Sequence, residues 1–205
     1  MNESTTTQIS AFREKLTPEN SILIMVDYLT GFLPGIKTIE PKEYQNNVSA
    51  LANIGKIFKD RMPTIILGDE DGFRGKFFDQ INEFLPDAPK VDRHTPSAWH
   101  AAEFRDLLEK HNRKKVIMAG ISIDNCVMQT GLDVLKNGYE LYVLPDVSGT
   151  DSLLVEQGAI SRLTQAGAVM TNWVSLASEL MDDWETPESK FIGEIYQKYS
   201  KWGEQ

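Results

Sequence analysis

Short apolar runs alternate along this chain with longer segments in which apolar residues recur every three or four positions. The run at 21–26 is apolar throughout except for its first residue, which is typical of a strand buried on both faces of a parallel sheet. Pro41 then opens a segment with the spacing of an amphipathic helix. The same alternation predicts further strands at 63–67, near Val91, at 116–119, at 141–144 and at 168–170, and further helices at 77–85, at 101–108, after Cys126, at 153–165 and around 176–180.

Strands that alternate with helices of this length indicate right-handed βαβ crossovers. We therefore predict an α/β protein with a Rossmann-like three-layer α/β/α architecture and a mostly parallel six-stranded sheet. Ligands of such sheets bind beyond the carboxyl ends of the strands, so polar residues that closely follow the strands are candidate functional groups. Those residues are Asp27, the acidic trio Asp69, Glu70 and Asp71, then Arg93, Cys126 and Asp146.

The composition narrows the class of protein. A chain of 205 residues with 41% hydrophobic residues is sufficient for one α/β core, and we predict a single domain over residues 1–205, with an N-terminal arm at 1–20 and a C-terminal helical tail at 186–205. The net charge of −9, without a basic block, argues against a nucleic-acid partner. No apolar run has the length of a membrane span or the place of a signal peptide, and a single cysteine cannot form an internal disulfide, so we expect a cytoplasmic protein without membrane association.

Cys126 is the only cysteine of the chain and lies between a predicted strand and a predicted helix. Backbone N–H groups and the positive end of a helix dipole stabilise a thiolate at such a position, so we expect the pKa of the thiol to be lowered there. This makes Cys126 the candidate nucleophile. The alternative is that Cys126 is a small buried apolar residue, as most unpaired intracellular cysteines are.

A cysteine nucleophile needs a base that accepts its proton. The chain has three histidines, and one of them, His111, lies in a charged stretch, so a Cys–His pair is poorly supported. A partly desolvated carboxylate can replace the imidazole, because burial raises its pKa towards that of a thiol. Asp27, which follows the first apolar run, is the candidate base; alternatively, its carboxylate caps the next turn or pairs with a cation.

Three segments of the chain resemble the signature segments of the isochorismatase-like cysteine hydrolases. They are Val26-Asp27 at the end of the first strand, Arg93 with Ser97-Ala98-Trp99 behind it, and the segment from Gly120 to Val127 around Cys126. Further segments are similar to the YcaC-type branch of that family: Ile39-Glu40-Pro41 leading to Asn46-Asn47-Val48, Phe84 to Pro89, and Ser148-Gly149-Thr150 through Arg162 to Gln165-Ala166-Gly167-Ala168. The resemblance covers nearly the whole body of the chain.

The resemblance implies a catalytic triad in which Asp27 is the general base, Cys126 is the nucleophile and Arg93 stands where the family has a lysine. An arginine keeps the positive charge but does not readily share a proton. The resemblance also implies a cis peptide bond between Ile121 and Ser122, and an oxyanion hole formed by the backbone N–H groups of Ser122 and Cys126.

Apolar residues near the proposed triad are candidates for a substrate pocket. Phe32, Phe73, Trp99 and Ile121 would form the apolar wall that is usual for a small-molecule site. The alternative is that these side chains belong to the ordinary core or to a subunit interface. The loops at 30–38 and 68–76 are expected to shape the pocket.

No cofactor and no metal site are predicted. Nicotinamidase members of the family hold a metal through an aspartate and two histidines after the second strand, and this chain has no histidine there. The acidic trio at 69–71 would suit a hard cation such as Mg²⁺, although solvated loop carboxylates are the simpler interpretation. No glycine-rich phosphate-binding pattern follows a strand, so nucleotide binding is not indicated.

The leading hypothesis is therefore a metal-independent cysteine hydrolase that acts on a small amide or related C–N substrate through a covalent intermediate on Cys126. A second hypothesis is vinyl-ether hydrolysis of the isochorismate kind, which needs no covalent cysteine. A third is a catalytically silent, oligomeric metabolite-binding protein on the same fold, which is consistent with Arg93 and with Ile123, where the family commonly has a threonine. We expect a small-molecule ligand and, from the resemblance, a homo-oligomer that is a tetramer or an octamer.

Overall fold

The computed structural model describes residues 14–70 and 72–201 of the chain. Within them lie six strands: β1 (Ser21–Val26), β2 (Thr64–Leu67), β3 (Lys90–Val91), β4 (Lys115–Gly120), β5 (Glu140–Val143) and β6 (Val169–Met170). The same residues form seven α-helices: α1 (Pro41–Ile57), α2 (Asp79–Phe84), α3 (Ala102–His111), α4 (Met128–Lys136), α5 (Leu153–Gln165), α6 (Trp173–Met181) and α7 (Ser189–Tyr199). Most of the predicted N-terminal arm, Asp71 and the last four residues of the predicted tail lie outside the described residues.

The strands form one sheet in the order β3-β2-β1-β4-β5-β6. Every pairing of these six strands is parallel, which confirms the predicted α/β class. The prediction was a mostly parallel sheet, and the sheet of these six strands is wholly parallel. The order reverses at β1, because the chain first builds outward to β3 and then returns to place β4 on the other side of β1. Such a reversal opens a crevice at the carboxyl ends of the two strands, where ligands bind.

The two central strands, β1 and β4, are buried along their whole length. Successive side chains of a strand point to opposite faces of the sheet. Leu23 and Met25 of β1 therefore pack in one apolar cluster with residues of α1, α2, α6 and α7. Ile22 and Ile24 pack in a second cluster with residues of α3, α4 and α5. Helices thus cover both faces of the sheet, as the continuous apolar runs predict.

The register of the sheet aligns the carboxyl ends of four strands. Val26 lies opposite both Leu67 of β2 and Gly120 of β4, and Leu67 lies opposite Val91 of β3. The chain segments that follow these strands therefore leave the sheet at the same level. Asp27 comes directly after this row of residues.

The segment after β4 differs from the predicted strand, turn and helix in one respect. The helical segment begins with a π-helical turn, Ile123–Val127, before it continues as α4. Cys126 consequently lies in that turn, ahead of the α-helix proper. The peptide bond between Ile121 and Ser122 is cis, in agreement with the family resemblance.

The C-terminal part of the chain packs on the body of the molecule. Helix α7 buries Ile192 and Ile195 in the same apolar cluster as α1. In the described part of the chain, no helix has the length and apolar character needed to cross a bilayer. The division into a single domain with an arm and a tail stays a prediction.

Candidate active site

Asp27 is held beyond the end of β1 by its own backbone. Its N–H donates to the carbonyl oxygen of Leu67 at 2.8 Å, which extends the ladder between β1 and β2 by one residue. Its φ of 52° then turns the chain out of the strand, in a conformation that aspartate adopts more readily than most residues. The residue is 5% exposed, so its carboxylate is buried at the edge of the sheet.

The guanidinium group of Arg93 is the counter-ion of Asp27. Nη2 of Arg93 donates to Oδ2 of Asp27, and each of the two side chains is 7% exposed. Nη1 donates to the carbonyl oxygen of Thr95 at 2.5 Å, which holds the guanidinium group against the loop after β3. A buried pair of this kind needs both partners, because the loss of one leaves the other charge buried and unpaired.

Cys126 approaches the same carboxylate from the end of β4. The carbonyl oxygen of Ser122 accepts hydrogen bonds from the N–H groups of Asn125 and Val127, both at 3.2 Å, and these bonds close the π-helical turn. The thiol of Cys126 lies beside the carboxylate of Asp27 and interacts with it. The candidate base, cation and nucleophile are therefore gathered in one group.

The loop after β5 braces the turn that carries the cysteine. The N–H of Gly120 donates to Oγ of Ser148 at 3.1 Å, and Oγ1 of Thr150 donates to Oδ1 of Asp124 at 2.7 Å. These bonds tie the cysteine turn to a third strand end. Its position therefore depends on contacts distant in sequence as well as on local hydrogen bonds.

Burial changes the acidity of both titratable groups. Burial raises the pKa of Asp27, although the charge of Arg93 and the hydrogen bond from Cys126 oppose this shift. Burial and the negative charge of Asp27 raise the pKa of Cys126 to about 11, and the charge of Arg93 and its hydrogen bond to the sulfur act in the opposite direction. The expectation that the pKa of this thiol is lowered is therefore wrong, because desolvation and the neighbouring carboxylate raise it.

The three groups lie in the wall of a cavity of about 360 Å³ at the carboxyl edge of the sheet. Two of the predicted pocket residues, Phe32 and Phe73, also line it. The loops after β1, β2 and β3 supply the rest of the wall, which comprises Leu29, Asp69, Gly72, Arg74, His94, Thr95 and Pro96. Both loops expected to shape the pocket, at 30–38 and 68–76, contribute residues.

Trp99 and Ile121, the other two predicted pocket residues, are not among those that line this cavity. The Trp99 ring packs edge-on against the rings of Phe104 and Tyr139, with centroid separations of 6.4 and 6.2 Å. Ile121 is 3% exposed and belongs to an apolar core cluster. Both side chains serve packing, the alternative that the sequence left open.

Sequence reasoning did not single out Arg74 or His94, which also line the cavity. The sequence feature that could have indicated Arg74 as a cavity residue is its place in the loop after β2. The signal for His94 was its position next to Arg93. Neither signal indicates which way a loop side chain points, because that direction is set by contacts with other loops.

The acidic residues Asp69 and Glu70, after β2, make contacts with neighbouring protein groups. Glu70 accepts hydrogen bonds from Nζ of Lys90 at 3.1 Å and from the N–H of Phe77 at 3.3 Å. A carboxylate oxygen of Asp69 lies 2.5 Å from the position that a Cβ on Gly72 would occupy, so this carboxylate lies over its own loop. Among residues 14–70 and 72–201, no group of three or more histidine, cysteine or acidic side chains is arranged to hold a metal ion.

Known proteins are similar to this chain in sequence and in fold. Residues 21–175 match the isochorismatase domain family. The "Probable hydrolase YcaC" of Escherichia coli is 31% identical over 172 residues, which cover 83% of this chain and 82% of the relative.

Two solved structures of similar proteins superpose over nearly the whole chain. YcaC from Pseudomonas aeruginosa, solved with hexane-2,5-diol and covalent acrylamide, has a TM-score of 0.85 at 33% identity and covers 91% of this chain and 92% of that chain. YcaC from Escherichia coli, described as an octameric hydrolase of unknown specificity, has a TM-score of 0.85 at 29% identity and covers 90% of each chain.

The family match includes all six strands and the three candidate groups at their carboxyl ends. The relatives align over most of their own length, so the similarity extends to the whole body of the molecule. The chain therefore belongs to the isochorismatase family, as a hydrolase of the YcaC type.

Proposed function

We propose that this protein is a cysteine hydrolase that cleaves a small amide or related C–N substrate through a covalent intermediate on Cys126. The observation that carries the proposal is the contact between a buried thiol and a buried carboxylate, itself paired with an arginine, in the wall of a cavity. A nucleophile, a base and a fixed charge are the groups that covalent catalysis by cysteine needs. In this assignment Asp27 is the general base and Arg93 supplies the charge.

In the first half-reaction, the proton of Cys126 passes to Asp27 while Sγ attacks the carbonyl carbon of the substrate. Burial raises the pKa of Asp27 and so makes its carboxylate a stronger base than an exposed aspartate. The C–N bond then breaks, and the amine leaves with the proton that Asp27 had accepted. A thioester on Cys126 remains.

In the second half-reaction, Asp27 takes a proton from water while the water oxygen attacks the thioester carbon. The C–S bond breaks, the carboxylic product leaves and the sulfur regains its proton from Asp27. One water molecule is consumed, an amine and a carboxylic acid are released, and the protein returns to its starting state.

Backbone and guanidinium groups would stabilise the charges that form during these steps. The N–H groups of Ser122 and Cys126 are the proposed oxyanion donors; Ser122 directly precedes the turn that carries the attacking sulfur, and Cys126 lies in it. The role of Arg93 is electrostatic, because an arginine does not readily share a proton. Its positive charge favours both the carboxylate of Asp27 and the thiolate of Cys126.

The structure of the Pseudomonas aeruginosa relative supports the presence of a reactive nucleophile in proteins of this type. That structure contains covalent acrylamide. Acrylamide is an electrophile, so a covalent adduct requires a reactive nucleophilic group on the protein. By similarity, we infer that the corresponding group in this chain is Cys126.

Hydrolysis of a panel of small amides tests the proposal, with release of ammonia or amine as the readout. Cys126→Ser and Asp27→Asn are each expected to lower kcat/KM by about a hundredfold or more, because each removes a group that acts in bond breaking. Arg93→Lys keeps the charge and is expected to lower kcat/KM by about tenfold or less. Equal turnover by the wild type and Cys126→Ser would overturn the covalent mechanism.

Alkylation by iodoacetamide provides a second readout, since Cys126 is the only thiol of the chain. The negative charge of Asp27 raises the pKa of Cys126, so Asp27→Asn is expected to speed alkylation at pH 8 while it suppresses hydrolysis. Asp106→Asn makes the same chemical change at an exposed position of α3 and should alter neither rate. Slower alkylation in Asp27→Asn would contradict the assigned interaction between these two groups.

We also propose that the chain assembles as a homo-octamer. YcaC from Escherichia coli is an octameric hydrolase. In this chain, the first turn of α5 exposes Leu153 and Leu154 at 61% and 81%, with Val155 beside them. Exposed apolar side chains that lie together are typical of interaction surfaces.

A further inference from the structure

Arg74 is a cation in the cavity wall that the proposed mechanism does not use. Its guanidinium carbon lies 4.6 Å from the centre of the Phe32 ring and 4.5 Å from the centre of the Phe73 ring. Two aromatic contacts restrict the rotation of the side chain, while the N–H donors at the edge of the planar group stay available. Arg74 takes part in none of the ion pairs formed among the described residues.

The backbone that carries Arg74 is anchored to the segment after β1. The carbonyl oxygen of Arg74 accepts a hydrogen bond from the N–H of Gly31 at 2.7 Å. The carbonyl oxygen of Lys76 accepts one from the N–H of Thr30 at 2.9 Å. An antiparallel bridge lies next to these bonds. The fold therefore sets the position of Arg74 relative to the carboxyl end of β1, where the candidate base lies.

The other charged side chains that line the cavity already have contacts of their own. Asp27 and Arg93 pair with each other, and the carboxylate of Asp69 lies over Gly72 of its own loop. The buried Nε of Arg93 has no acceptor among the described residues. Among the charged residues that line the cavity, Arg74 is therefore the cation whose donors can receive an anion.

We propose that Arg74 is a specificity residue that binds a carboxylate of the substrate, so that the substrate class is small amides that carry a carboxylate group. This inference rests on the proposed function, in which Cys126 attacks the amide carbon while Arg74 holds the other end of the molecule. A guanidinium group binds a carboxylate through two parallel N–H bonds, which fixes orientation as well as charge. A cavity of about 360 Å³ is at the small end of ligand pockets and suits a substrate of few heavy atoms.

Two alkylating reagents of nearly the same size but different charge test this inference without knowledge of the substrate. Iodoacetate carries a carboxylate where iodoacetamide carries a neutral amide. With either reagent, the thiolate of Cys126 forms a bond to the CH₂ carbon and iodide leaves. Because both reagents react with the same thiolate, the ratio of the two rate constants is independent of the pKa of the thiol.

Substitution of Arg74 is expected to change this ratio. Arg74→Gln should lower the rate ratio of iodoacetate to iodoacetamide by about three- to tenfold, since one nearby positive charge is removed. Arg74→Lys keeps the charge but not the planar fork and should lower the ratio less. Lys76→Gln removes a charge from an exposed side chain of the same loop that does not line the cavity, and should change the ratio by less than about twofold.

The outcomes separate this inference from the proposed function. An unchanged ratio in Arg74→Gln, or an equal fall in Lys76→Gln, would overturn the role of Arg74 and leave the nucleophile assignment intact. A native protein in which neither reagent modifies Cys126 would instead contradict the proposed function. High salt should lower the wild-type ratio towards that of Arg74→Gln, because salt screens an exposed charge.

Discussion

At the residue scale, two aspartates closely follow strands of the same sheet and serve different purposes. Asp27, after β1, is buried beside a thiol and an arginine. Asp146, after β5, accepts a hydrogen bond from the N–H of Trp173 at 3.2 Å at the start of α6, and its carbonyl oxygen accepts one from Asn47 at 2.8 Å. Asp146 is not among the residues that line the candidate cavity, so its contacts assign it to the support of α6.

The acidity of Asp146 leads to a prediction about stability. Burial raises the pKa of Asp146 to about 6, so the folded state binds this proton more tightly than the unfolded state does. The stability that the group contributes is fully present below about pH 4 and is lost as the pH rises through 6, at a cost of up to about 3 kcal/mol. Asp146→Asn is therefore expected to raise the free energy of unfolding at pH 7.5 by about 1–3 kcal/mol.

Urea denaturation at pH 4 and pH 7.5, at equal protein concentrations, checks this prediction. An asparagine oxygen can still accept the hydrogen bond from Trp173, so the two proteins should have nearly equal stability at pH 4. A variant that is less stable than the wild type at pH 7.5 would show that the charge of Asp146 stabilises the fold.

At the element scale, the close approach of β1 and β4 brings the candidate base and nucleophile together. A Cβ on Gly120, the last residue of β4, would lie 2.0 Å from the carbonyl oxygen of Val26. The carbonyl oxygen of Val26 also accepts a hydrogen bond from the N–H of Ile121 at 2.9 Å. Only a glycine allows the two strand ends this separation, and the site depends on it.

Gly120→Ala is therefore expected to lower the free energy of unfolding by about 3 kcal/mol, because the clash is with backbone and cannot be relieved by a side-chain movement. The iodoacetamide reactivity of Cys126 should also lose its dependence on Asp27, since β4 is displaced from β1. Urea denaturation of Gly120→Ala measures the first effect. Comparison of the alkylation rates of Gly120→Ala and the Gly120→Ala/Asp27→Asn double variant measures the second.

Gly158→Ala is the matched control for this substitution. Gly158 lies in α5, and a Cβ there would have no atom within 4 Å. Alanine should raise stability by about 0.5–1 kcal/mol, because it lowers the entropy cost of helix formation. Equal stabilities of Gly120→Ala and the wild type would contradict the role given to Gly120.

At the scale of the whole molecule, the described part of the chain exposes apolar side chains that the fold itself does not cover. The first turn of α5 presents Leu153 and Leu154, and the cavity loop presents Phe73, which is 90% exposed. Burial of such surface against other subunits would account for its composition.

Light scattering is expected to give eight times the mass of one chain, which is 23.1 kDa. Leu154→Glu places a charge in the exposed apolar turn and should reduce the mass to that of a smaller assembly. Gln165→Glu adds the same charge at an exposed position three turns away on α5 and should leave the mass unchanged. A monomeric wild type at working concentration would refute the proposed assembly.

Much of this fold was predictable because its signals are local. The apolar run of β1 and the proline that opens α1 locate those elements, and the predicted bounds of β1 and α5 agree with the observed ones. The position of Asp27 at a strand end is also local. Trp99 shows the limit of such signals, because an aromatic residue near the site in sequence packs against α3 instead of the cavity.

By itself, the sequence determined the α/β class, the order of strands and helices, and the strand ends at which the candidate groups lie, because apolar periodicity and chain order are properties of neighbouring residues. Only the tertiary structure decided that β1 lies between β2 and β4, that Asp27, Arg93 and Cys126 meet, and that Arg74 lines the same cavity. It also decided the direction of the thiol pKa, which burial and the carboxylate of Asp27 raise. These properties depend on desolvation and on contacts between residues far apart in the chain, and no local pattern encodes them.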